Sequence, residues 1–153
     1  MAEQHEVRTL ADALFAIHLA GEAAPWTFAF DHALKRVGAC HHNKRSITLS
    51  RHYVAIADLD DIEQTLLHEI AHALVGKEHN HSSHWLTTAR SIGYTGHVRH
   101  TGASPTHLYR WRGTCPNGHV VMRFRRPRNM NVSCSTCHPR YSAKYRITWE
   151  WLD

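Results

Sequence analysis

The sequence predicts an α+β chain in two parts, and three observations carry that reading. Apolar residues recur at helical spacing in three stretches of residues 1–104. Short alternating runs lie between those stretches and fill most of residues 105–153. Charge is divided the same way: residues 1–104 hold 9 Lys+Arg and 11 Asp+Glu, a net −2, while residues 105–153 hold 9 and 2, a net +7, together the +5 of the whole chain. At 153 residues the chain suits one domain with a small appendage.

The elements follow in order. Over residues 6–20, Val7, Leu10, Ala11, Leu14, Phe15 and His18 share a helix face, with Gly21 and Pro25 behind them as stops. WTFAF at 26–30 and SITLS at 46–50 alternate as strands, Ile47 and Leu49 pointing one way. KRVGAC precedes SITLS and can pair with it through the basic turn HHNKR. DLDDIEQTLLHEIAHALVG then reads as a helix: aspartates crowd its start, where the helix dipole favours negative charge, and Leu59, Ile62, Leu66, Ile70 and Ala73 form one stripe. Gly76 is placed to end it. A third helix starts at Ser82 or Ser83 as N-cap and runs through Trp85, Leu86, Ala89 and Ile92 to Gly93. Residues 94–106 lack periodicity and read as a linker, which gives parts of 1–104 and 105–153. Beyond it HLYRWRG, VVMRFR and KYRITWEW alternate as strands, with turn-rich CPNGH and CSTC between them.

Two constellations carry chemistry. His68 and His72 lie four apart on the second helix, so both imidazoles can face one ion, and Glu69 beside them can reach a water there. This is the H-E-x-x-H arrangement, with the glutamate as general base rather than ligand. Because the chain holds 16 histidines, such pairs arise by chance, and context must support them. A third ligand must come from beyond the bend at Gly76, and spacing leaves His79, His81 and His84 open. The second constellation is Cys115, His119, Cys134 and Cys137. Cys134 and Cys137 form a C-x-x-C knuckle, Cys115 and His119 span a Pro-Asn-Gly turn, and 14 residues separate the pairs. That spacing predicts a closed Cys3His zinc site on a β ribbon. His138 adjoins Cys137 and would strain a four-ligand site, which favours His119. Cys40 stands alone in a strand and reads as a small apolar residue.

HEIAHAL, followed by HNHSSHW and an ARSIG helix end, resembles the SprT-like (Spartan-type) zinc metalloproteases. So does the upstream GACHHNKRSITLSRHYV, whose I-x-L-S strand follows a basic stretch. The resemblance covers roughly residues 30–95, with a family-like zinc ribbon behind. It implies a small gluzincin-like metalloprotease domain, three helices and a small sheet, followed by a β zinc ribbon. It also implies that His81, four residues before the aromatic Trp85, completes the ligand set with His68 and His72. The expected cofactors are two Zn2+ ions, one catalytic and one structural, and the expected substrate is protein, including protein bound to DNA.

Arg123, Arg125, Arg126 and Arg128, interleaved with Phe124 and near Trp111, Tyr141 and Tyr145, suit phosphate contact with base stacking, so DNA is the expected second partner. The alternative is a non-catalytic, zinc-containing nucleic-acid-binding protein; Glu69 discriminates, since a purely structural metal site has no use for it. Glu3 and Glu6 stand where a signal peptide would be basic, and no stretch is long enough to span a bilayer. The expected location is the cytoplasm, with nucleoid association, or the host cytoplasm for a viral chain.

Overall fold

The computed structural model describes residues 2–96 and 105–153. The chain divides into two compact units, Met1–Ser104 and Pro105–Asp153. Most of the stretch read as a linker, residues 97–104, lies outside the described residues.

In the first unit, helix α1 spans Gln4–His18 and buries Val7, Ala11 and Leu14, the face set by its 3.6 periodicity. It starts earlier than its apolar pattern, because Glu3 and Glu6 form a capping box that satisfies backbone amides of the first turn. Strands β1 (Thr27–Asp31), β2 (Gly38–His41) and β3 (Ser46–Ser50) form a sheet in the order β1-β3-β2. β1 and β3 run parallel, while β2 and β3 form an antiparallel hairpin closed by a 3-10 turn at His42–Lys44. The hairpin through HHNKR is therefore present. Ile47 and Leu49 are both fully buried beneath the helices.

A one-turn helix, α2 (Arg51–Val54), follows directly from β3, with Ser50 as its N-cap. At four residues it is too short to leave a periodic signal, and its Tyr53 is fully buried with its hydroxyl 3.0 Å from Thr65 Oγ1. Helix α3 spans Leu59–Val75 with Asp58 as N-cap, its side chain accepting from Asp61 N–H. Ile62, Leu66 and Ile70 are fully buried, whereas Leu59, in the first turn, is 40% exposed and leaves the expected stripe. Gly76 ends α3 at φ +82°, a left-handed conformation that favours glycine. Helix α4 (Ser83–Ser91) is capped by Ser82, whose hydroxyl accepts from Trp85 N–H, and it ends two residues before Gly93. α3 is the centre of the unit: it packs on α1, α4, β2 and β3. Both histidines of its H-E-x-x-H stretch thus stand on the most supported element of the fold.

The second unit is a three-stranded antiparallel sheet in the order β5-β4-β6, with β4 at Trp111–Thr114, β5 at Val120–Arg123 and β6 at Thr148–Trp151. Short 3-10 turns at Thr106–Leu108 and Ala143–Tyr145 replace the outer ends of the longer strands that alternation suggested. Gly113 in β4 pairs with Trp149 in β6, and a Cβ at Gly113 would lie 2.6 Å from Ile147 Cγ2 and 2.8 Å from the Trp149 indole, so both side chains close over a bare strand position. Among the described residues of this unit, the buried apolar side chains are Pro105, Cys115 and Cys134. No helix among the described residues is long and apolar enough to cross a membrane.

Candidate metal centre

α3 presents His68 and His72 one turn apart on one face. Gly76 then reverses the chain, and a 3-10 turn at Lys77–His79 carries it back over that face. The result is a triangle of ring nitrogens. His68 Nε2 is 3.3 Å from His72 Nε2, and His81 Nε2 is 3.0 Å from each of them. Three acceptor lone pairs at that range repel unless protons or a shared cation lie between them. A tetrahedral zinc ion with bonds of about 2.0–2.1 Å needs nitrogen–nitrogen edges of roughly 3.4 Å, so the triangle fits one. Burial, then the neighbouring His81 and His42, push the His72 imidazole down to about 4, so it is neutral at ordinary pH and its lone pair is available. Of the three histidines that spacing left open, His81 is the one brought to His68 and His72. His79 and His84 instead face each other, ring centroids 4.7 Å apart.

Glu69 is buried, 8% exposed. Burial raises its carboxyl to about 7, against the opposing pull of Arg36 and of a hydrogen bond from the Cys40 amide. It is thus not a solvated helix-surface glutamate. The sequence did not single out Arg36 or the Cys40 amide, because both arrive from β2 and the loop before it rather than from α3. Cys40 itself is half-buried and packs on the core, and burial pushes its thiol up to about 12.

Trp85 forms the floor of the site. Its ring centroid lies 4.7 Å from that of His68, 5.2 Å from His72 and 4.8 Å from His81, and it is fully buried. Tyr94 adds a second aromatic wall, 5.4 Å from His68 and 5.8 Å from Trp85. Removing a buried aromatic leaves a void, so Trp85→Ala is expected to lower stability by about 3–5 kcal/mol. The check is the urea unfolding midpoint of the metal-free chain; an unchanged midpoint would contradict this packing role.

In the second unit, Cys115, His119, Cys134 and Cys137 converge. His119 Nδ1 lies 3.5, 3.6 and 3.3 Å from the sulfurs of Cys115, Cys134 and Cys137, and the Cys115 and Cys137 sulfurs are 3.8 Å apart. A tetrahedral zinc ion with bonds of about 2.3 Å to sulfur calls for edges of roughly 3.5–3.8 Å, so these four fit it as well. Burial raises the Cys134 thiol, but hydrogen bonds from Cys137, Thr136 and Cys115 outweigh it and lower it to about 6. Asn117 Nδ2 donates to Cys137 Sγ at 3.3 Å, a support that spacing alone did not reveal. His138 turns away, its Nδ1 engaged with the backbone of Arg140.

Arg123, Arg125, Arg126 and Arg128 are all exposed. Arg126 stands over the Trp111 ring at 5.8 Å, and Trp111 meets Trp151 edge-on at 5.6 Å. Cross-strand pairing sets Arg123, Trp111 and Trp151 side by side in one row. Phe124 stacks on Tyr109 at 4.3 Å, and the Tyr141 hydroxyl donates to Asn131. The row's third member, Trp151, is 55% exposed and was not among the expected aromatics.

The SprT-like family model matches residues 9–115. No curated protein matches the chain. Among solved structures, the metallopeptidase zymogen of Methanocaldococcus jannaschii jannalysin is similar over 56% of this chain and 79% of that one, at 14% identity and a TM-score of 0.48.

Proposed function

The chain belongs to the SprT-like family, and from that premise we propose that it is a zinc-dependent metallopeptidase. The observation that carries the reading is the nitrogen triangle of His68, His72 and His81 with the buried Glu69 beside it. The three imidazoles would hold a catalytic zinc ion, and Cys115, His119, Cys134 and Cys137 a structural one. When bound, the catalytic ion supplies a Lewis acid that polarises a water and the scissile carbonyl. The chain's own contribution is proton transfer. Glu69 takes a proton from the attacking water as the new carbon–oxygen bond forms. As the carbon–nitrogen bond breaks, Glu69 returns that proton to the leaving amine. Trp85 and Tyr94 keep water from the inner side of the imidazoles.

The substrate is protein, and the ribbon's arginine–tryptophan row supports protein bound to DNA. Exposed guanidinium groups beside half-open indoles suit phosphate contact with base stacking. Thiolate ligands in this number suit a reducing compartment, so the cytoplasm is the proposed location.

The test is metal stoichiometry together with cleavage. Purified wild type is expected to hold two zinc ions per chain and to cut a protein substrate. His72→Ala and Cys134→Ala are each expected to lose one ion, with cleavage abolished in the first. A wild type holding a single ion removes one of the two centres.

A further inference from the structure

β2 is an outer strand of its sheet, and its ladder phase has a consequence for Glu69. Ser50 N–H donates to Val37 O at 2.8 Å, which makes Val37–Ser50 a hydrogen-bonded pair. Antiparallel pairs alternate, so Ala39–Thr48 and His41–Ser46 are bonded to β3 while Gly38 and Cys40 turn their amides and carbonyls away from it. No other described strand lies on that side. The outward Cys40 amide instead meets the Glu69 carboxylate from α3. Gly38 is where the two elements come closest. A Cβ there would lie 3.1 Å from both Glu69 Cγ and Glu69 Oε1, and 3.0 Å from Leu49 Cδ2. Leu49 is fully buried, so the carboxylate would have to give way.

We propose that the outer edge of β2 positions the general base: Gly38 gives the Glu69 side chain its room, and the Cys40 amide, turned away from β3, is placed to donate to its carboxylate. Both are positioning residues, acting through Glu69, and the inference rests on the reading of Glu69 as the base. The physical need is clear. A glutamate has three side-chain torsions, and a base displaced by about 1 Å can cost roughly 10²-fold in rate. A single bare backbone position and one amide remove that freedom without placing another side chain between Glu69 and the water it must reach.

Two substitutions separate space from hydrogen bonding. Gly38 does not have a positive φ, so Gly38→Ala adds a methyl group without backbone strain. It is expected to lower kcat by about 10–100-fold, with KM within about twofold and two zinc ions retained. Cys40→Pro removes an amide that β3 does not use, a position where an edge strand accepts proline. It is expected to lower kcat by a similar factor relative to Cys40→Ala, which keeps the amide. A third readout needs no activity: the wild-type Cys40 amide proton should exchange slowly despite its outer-edge position, and Glu69→Ala should speed its exchange at least tenfold. Wild-type kcat in Gly38→Ala, or a Cys40 amide that already exchanges at the solvent rate, overturns the proposal. If Glu69→Gln itself cuts as fast as wild type, the base assignment fails instead, whatever Gly38 does.

Discussion

Glu69→Gln is expected to lower protein cleavage by about 10²–10⁴-fold, the range that a positioned general base contributes, while two zinc ions per chain remain bound. The amide keeps the shape of the carboxyl group but cannot accept a proton from water. The burial of Glu69 adds a second consequence in the metal-free protein. Its folded-state carboxyl stands at about 7, above the ordinary 4.5. Between those values the unfolded chain binds fewer protons than the folded one, so stability falls as pH rises from about 4.5 through 7. The glutamine variant lacks that group, and its urea midpoint is expected to lose this part of the pH dependence. Cleavage by the variant at the wild-type rate would remove the base, and a lost zinc ion would show that the residue holds metal.

Withdrawing zinc from the second unit is expected to unfold it. Apart from Pro105, its buried apolar side chains, among the described residues, are the proposed ligands Cys115 and Cys134 themselves. With so little fully buried apolar surface, the order of these 49 residues depends on metal coordination, and a structural zinc site contributes an apparent ~10–16 kcal/mol to folding. A strong chelator, or Cys134→Ala, is expected to abolish the near-ultraviolet circular dichroism of Trp111, Trp149 and Trp151. Slow amide exchange in β4, β5 and β6 is expected to vanish with it, while α3 keeps its protection. A ribbon that stays ordered without metal would refute this account of its stability.

What the sequence disclosed follows from how local each signal is. α3 was legible because a 17-residue helix repeats its apolar period several times and carries its own stops, Asp58 and Gly76. The hairpin of β2 and β3 was legible from alternation around a basic turn. The candidate metal pairs were legible because helical and knuckle spacing bring His and Cys side chains together within a few residues. Spacing alone left the third histidine open, since the path of residues 77–82 decides whether His79, His81 or His84 reaches the triangle and no periodicity governs that path; only the family resemblance pointed to His81. Gly38 was equally silent. An absent Cβ means something only once α3 lies against it, 3.1 Å away. The exposed Leu59 and the one-turn helix α2 show the same limit at element ends, where tertiary contacts rather than periodicity decide.

The bare position at Gly113 has a consequence beyond accommodating one indole. Along a strand every neighbour faces the opposite side, so sliding β6 by one residue would bring Thr148 or Glu150 over Gly113 and send Trp149 and Trp151 to the side that carries Arg112. The glycine and its indole therefore work as a lock and key for alignment. A residue with no outward contact of its own decides which side of the ribbon carries the tryptophans.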